Sequence, residues 1–176
     1  MPRLFVAFRP PETIRDRLID LMEGPPALRW QPDDQLHLTL KFFGEVDRRQ
    51  AEDLVLALRS VVAPRFALRL DGIGRFARRS GGALWAGIVP REPVAALAQR
   101  IDRAGQAAGL APDHRTFHPH LTLARWNGAP PPLEAWFQAN AALTSDPWPV
   151  DRFTLFSSEL SRHGAHHEPL VSFPLD

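Results

Sequence analysis

The stretches LHLTLKFFG (36–44) and HPHLTLARW (118–126) carry the same four letters, HLTL, about 80 residues apart. Histidine is scarce, 7 in 176 residues, so its recurrence in identical frames says more than the shared leucines do. Side chains on a strand alternate between faces. Leu38 and Leu40 then enter a core while His37 and Thr39 share the other face, and Leu121 and Leu123 separate from His120 and Thr122 in the same way. Each strand thus offers an imidazole beside a hydroxyl. An unperturbed pKa of roughly 6.5 gives histidine both protonation states near neutrality. Two imidazoles facing one centre can divide acid and base duties, and two hydroxyls can bond the non-bridging oxygens of a phosphate. This is equipment for in-line attack at phosphorus. A strained cyclic phosphodiester would need no metal in such a site. The motifs are nearly symmetric, so sequence alone does not order proton donor and acceptor.

Such a pair needs a frame that brings two strands together. RLFVAF (3–8) reads as a strand ended by Pro10 and Pro11. Ile14, Leu18, Leu21 and Met22 repeat at helical spacing before Gly24-Pro25-Pro26. Asp47 with Gln50 three residues later predicts a capped helix burying Ala51, Leu54, Leu58 and Val61. Phe66, Leu68 and Leu70 alternate as a strand does, and ALWAGIV (83–89) reads as a central strand. A third helix starts near Pro93 and ends at Gly109, with Gly105 inside it at some cost. A short helical piece is expected over 133–139, and closing strands over 153–157 and 170–173. The order predicts an α+β protein of two similar halves in one domain, 1–176, each half bringing a helix, an HLTL strand and further strands.

Composition excludes several classes. There is no cysteine, hence no disulfide, thiolate metal site or cysteine nucleophile. No GxGxxG or GxxxxGK[ST] motif appears, so nucleotide-cofactor sites of those kinds are unsupported. Net charge is +1 and the pI about 8.6, without a global polycationic surface. Arg75, Arg78 and Arg79 do cluster beside Gly81 and Gly82, either as a solvated loop or as a phosphate patch. The N-terminal apolar run is broken by Arg9 and is too short for a signal segment or membrane span, so a cytoplasmic location is expected.

LHLTLKFFGE and FHPHLTLAR together resemble the paired HxTx signatures of the two-histidine (2H) phosphoesterases. RLFVAFRPP, RWQPDDQLHLTLKFFGEV, LWAGI and FTLFSSELSRHGAHHEPLVSFPL are similar to the bacterial and archaeal RNA 2′,3′-cyclic phosphodiesterases, also called 2′-5′ RNA ligases. The resemblance implies a bilobal α+β fold of two pseudo-twofold-related halves, each an antiparallel-rich sheet with flanking helices, and an active-site groove between the lobes. It implies hydrolysis of a terminal 2′,3′-cyclic phosphate to a 2′-phosphomonoester, with reversible 2′-5′ RNA ligation beside it, and no metal and no cofactor. The partner would be an RNA end or nucleotide bearing that cyclic phosphate. Carried over, His37 would be the proton donor and His120 the acceptor, Thr39 and Thr122 would hold the phosphate, and Arg125 would add a charge-assisted contact. One departure stands out. Where the family often has a C-terminal tyrosine, this chain has His166 and His167, and it contains no tyrosine. His167 is the ring that would take that place beside the nucleoside.

Other side chains are candidates by position. Lys41 shares the His37 face by alternation and would line the cleft, or be an ordinary surface lysine. Trp30 and Phe76, in polar or loop surroundings, are candidates for nucleobase stacking, while Phe42, Phe43, Trp85 and Trp126 read as core. His118 and His120 form an HxH of the kind that sometimes binds metal, but no acidic ligand lies within the motifs and Pro119 disturbs the strand, so His118 reads as structural or as a residue at the cleft edge. A non-catalytic RNA-end or nucleotide-binding module is the alternative to an enzyme.

Overall fold

A computed structural model describes residues 1–176. The chain runs β1 (Arg3–Phe8), α1 (Glu12–Ile19), β2 (Arg29–Trp30), a 3-10 turn (Asp33–Gln35), β3 (Leu38–Glu45), α2 (Arg48–Arg59), β4 (Phe66–Arg78) and β5 (Gly81–Val89). It continues through α3 (Glu92–Ala107), β6 (Leu121–Asn127), α4 (Glu134–Asn140), β7 (Trp148–Val150), β8 (Arg152–Ser161) and β9 (Gly164–Pro174). The expected cap of α2 is present in full. Asp47 accepts from the Gln50 backbone N–H at 2.8 Å and the Gln50 side chain accepts from the Asp47 N–H at 3.1 Å, which satisfies two otherwise orphaned donors. Helix α1 stops at Ile19, before the expected Leu21 and Met22. Leu21 is still buried, and its carbonyl accepts from the Trp136 indole N–H of α4 at 2.9 Å.

All nine strands join one antiparallel sheet in the order β7-β4-β5-β6-β3-β1-β8-β9, with β2 on β6. The chain makes two similar passes, β1-α1-β3-α2-β4 and β5-α3-β6-α4-β8. Each pass gives its last strand to the other: β4 pairs with β5, and β8 with β1. Leaving β2 aside, four strands thus stand on either side of the β3–β6 seam. That seam is held by a single pair, Leu38 opposite Leu121. One core cluster of 37 buried residues serves both sides, so the halves are distinguished by the thin seam rather than by separate cores.

The two faces of the sheet differ. Leu4, Val6 and Phe8 of β1 belong to the main core with residues of all four helices, whereas Phe5 and Ala7 face the other way and cluster with Phe156. The helical face is tightly packed: a side chain on Gly105 of α3 would place its Cβ 2.5 Å from the Phe43 ring of β3. A glycine that costs helix stability is required there by close approach of helix to sheet. The arginine cluster is not a free loop. Arg75 and Arg78 lie on β4, longer than its alternating start suggests, and Arg79 sits in the β4–β5 turn. No helix is long and apolar enough to cross a membrane.

Candidate active site

His37 and His120 immediately precede β3 and β6. The antiparallel Leu38–Leu121 pair fixes their relation: one step outward sets His37 opposite Thr122 and Thr39 opposite His120, with both leucines in the core. All four polar residues are half-buried. The single hydrogen-bonded pair of the seam therefore sits at the centre of the doubled motif.

Each histidine rests in an aromatic cradle on the open face. His37 lies 5.2 Å from Phe5, stacks toward Phe156 at 6.4 Å, and meets the His167 ring edge-on at 5.3 Å. His120 meets Phe76 edge-on at 5.0 Å and Trp85 at 6.2 Å. Trp85 lies flat over Gly74, where a Cβ would come within 2.1 Å of its ring. The His120 Nδ1 is 2.6 Å from the His118 carbonyl. An oxygen acceptor at that distance makes Nδ1 the protonated nitrogen of the neutral ring, leaving Nε2 with a lone pair.

Burial disfavours the imidazolium at both sites. It pushes His37 down to about 4, helped by the neighbouring His167, Arg9 and Arg125 and opposed by a bond to the Gln35 backbone. Burial also lowers His120, with Arg125 and His118 adding to the effect and the His118 carbonyl opposing it. His167 is lowered as well, chiefly by burial, and its Nδ1 is enclosed without a hydrogen-bond partner. Arg125 acts electrostatically on both histidines, and burial followed by the nearby Arg29 lowers its own pKa.

Arg125 reaches that position by a break in alternation. Five residues beyond His120, a regular strand would turn it to the opposite face. In β6 the pairing with β5 skips Leu123: Thr122 faces Trp85, and Ala124 faces Leu84. This β-bulge sends Ala124 into the core and returns Arg125, paired with Ala83, to the histidine face. Strand β3 has the same bulge at Leu40, between Thr39 opposite Ala7 and Lys41 opposite Val6.

That second bulge corrects the expectation for Lys41. Lys41 does not share the His37 face. It is 7% exposed on the helical side, with Nζ 2.7 Å from Asp102 of α3 and 4.0 Å from Asp113. Phe42 takes the cleft position instead, 5.4 Å from Phe5 and 57% exposed, against its expected place in the core. Superposing HLTLKF on HLTLAR would have located it, since Phe42 falls where Arg125 falls. Trp30 is likewise displaced. It packs on Trp136 at 6.1 Å as part of the helical-side core, because the Trp30–Ala124 pairing of β2 with β6 turns it that way. Phe76 and His167 do stand beside the histidines. His118 is exposed and serves His120 through its carbonyl.

The family model of the 2′-5′ RNA ligase superfamily matches residues 6–162. The RNA 2′,3′-cyclic phosphodiesterase of Escherichia coli (strain K12) is 32% identical, over 98% of this chain and 96% of that one. The protein of the same name from Thermus thermophilus is 33% identical, over 98% of this chain and 90% of that one. The crystal structure of E. coli LigT in apo form superposes with a TM-score of 0.80 at 32% identity, covering 99% of this chain and 98% of that one. E. coli LigT complexed with 3′-AMP gives 0.80, covering 99% of each chain at 32% identity. With the doubled motif at the seam of the sheet and a match spanning nearly its whole length, the chain belongs to the 2′-5′ RNA ligase superfamily.

Proposed function

We propose that this protein hydrolyses 2′,3′-cyclic phosphodiesters at RNA ends to 2′-phosphomonoesters, by acid/base catalysis shared between His37 and His120. The observation that carries the reading is the Leu38–Leu121 pair, which sets one imidazole and one hydroxyl of each motif about a common centre. The names of the relatives support the same chemistry.

In this reading the phosphate sits over the seam between Thr39, Thr122 and Arg125. His120 is suited to the base, because its Nδ1–H is tied to the His118 carbonyl and its Nε2 lone pair is free to take a proton from water. The water oxygen bonds to phosphorus as the P–O3′ bond breaks, and His37 gives its proton to the departing O3′. A His37 depressed to about 4 is neutral in the empty site at neutral pH. The anionic phosphate raises it by stabilising the imidazolium, so the donor is charged when substrate is present. With a 5′-hydroxyl in place of water as the nucleophile, the same groups form a 2′-5′ linkage as the P–O3′ bond breaks, and attack of O3′ on that linkage reverses the step.

The test is turnover of 2′,3′-cyclic AMP to 2′-AMP by the wild-type protein, alongside His37→Ala and His120→Ala, with and without chelator. Turnover that survives the chelator and vanishes in both variants is expected. Binding without product would make the protein a nucleotide-binding module. Chelator-sensitive turnover would overturn the metal-free mechanism.

A further inference from the structure

A hollow of about 420 Å³ opens beside His37 on the same face of the sheet. Its volume is in the range that holds one small organic ligand. Phe156 and His167 line it and also touch His37, so hollow and motif share a wall. Thr154 and Ser172 line it too, with their hydroxyls 2.9 Å apart.

The charged groups around the hollow are unequally engaged. Arg9 is held by the Leu36 carbonyl and by Asp33, which also pairs with Arg15. Arg152 is paired with Asp151 at 3.0 Å. Asp34 has no hydrogen bond or ion pair, although it is close enough to His167 for its charge to be felt there. The guanidinium groups are occupied while a carboxylate stands free. A free carboxylate beside an aromatic ring and two hydroxyls suits a planar group with N–H donors along one edge. Among nucleobases, guanine presents two adjacent N–H donors that a carboxylate accepts together, whereas uracil presents one N–H between two carbonyls.

We propose that this hollow seats the base of the nucleotide bearing the cyclic phosphate, and that Asp34 reads guanine there. The placement rests on the reading above. O3′ departs toward His37, so the ribose that keeps it lies on the His37 side, next to the hollow. The seat makes the protein selective among RNA 3′ ends without a contact to the phosphate.

The experiment compares kcat/KM for 2′,3′-cyclic GMP and 2′,3′-cyclic UMP in the wild type and in Asp34→Asn, an exposed position where the substitution preserves shape. A guanine preference of about tenfold is expected from one bidentate pair, collapsing to about threefold or less in the variant. Equal rates in the wild type, or a preference untouched by the substitution, would overturn the proposal. A binding arm uses His120→Ala with 3′-GMP and 3′-UMP in calorimetry. If neither cyclic nucleotide is turned over but 3′-GMP binds in preference to 3′-UMP, the hydrolase reading fails and the base seat stands. Ordinary turnover with no base ranking in either arm has the opposite meaning.

Discussion

The cradle of His37 and the cradle of His120 start from the same tetrapeptide and end in different environments. Both histidines precede a strand with a bulge at the residue after its threonine, and both stand on aromatic rings. Around His37 those rings are Phe5, Phe156 and a second histidine, His167, next to a hollow. Around His120 they are Phe76 and Trp85, with the His118 carbonyl fixing the tautomer. At the bulge-corrected position one half carries Phe42 and the other Arg125. Equal motifs do not make equal roles: what surrounds each imidazole decides which proton it can hold.

The comparison breaks most sharply if the histidines prove unequal in necessity. Each of His37→Ala and His120→Ala is expected to lower kcat on a 2′,3′-cyclic nucleotide about 1,000-fold, the scale of a lost general acid or base. Near-full activity in either variant ends the shared mechanism. Next is an asymmetry of stability. Lys41 is buried against Asp102, while its counterpart in the other half is the apolar Ala124. Lys41→Met takes the ammonium from Asp102, which keeps its bonds from Gln106 and the Asp113 N–H, and should cost about 1–2 kcal/mol in urea unfolding. A loss below about 0.5 kcal/mol would mean that the pair contributes no more than an ordinary surface one.

Arg125 against Phe42 sharpens the difference further. If Arg125 holds the phosphate as proposed, Arg125→Ala should lower kcat/KM roughly 10- to 100-fold. Phe42→Ala, removing an exposed ring with no phosphate contact, should cost about fivefold or less. The reverse ranking would put the phosphate on the wrong side of the seam. The smallest effect is a titration. In the ligand-free protein the His37 ring should stay neutral down to about pH 4, whereas the unfolded chain takes up that proton near 6.5. Its folded pKa is thus depressed. The stability this gives is present above about 6.5 and lost as pH falls toward 4. Proton NMR of the ring C–H signals tests this, and added inorganic phosphate should move the His37 midpoint upward. An unperturbed midpoint would show that water reaches the cradle.

Most of the motif was readable because it is local. Alternation put His37 with Thr39 and His120 with Thr122, and the sheet keeps those pairs intact. The Asp47–Gln50 cap and the Pro93 helix start were legible for the same reason: each depends on groups within one turn. Lys41, Phe42 and Trp30 were misplaced because their faces are set by partners distant in the chain. The bulge at Leu40 exists only as a misfit in pairing between β3 and β1, and nothing in HLTLKF by itself announces it. The same holds for Arg125, which spacing puts on the wrong face and family resemblance on the right one.

The sequence by itself determined the chemical parts: two imidazoles and two hydroxyls in matching frames, an antiparallel-prone set of strands, and no thiol. The tertiary structure decided how those parts differ. It exchanged strands between the two passes so that the motifs meet at one pair, and it bulged both strands so that Arg125 and Phe42 join the histidine face. It also buried His37 deeply enough to depress its proton affinity. The physical reason is range. Alternation and capping are set over a few residues, whereas register, bulges and desolvation depend on which distant strand lies alongside.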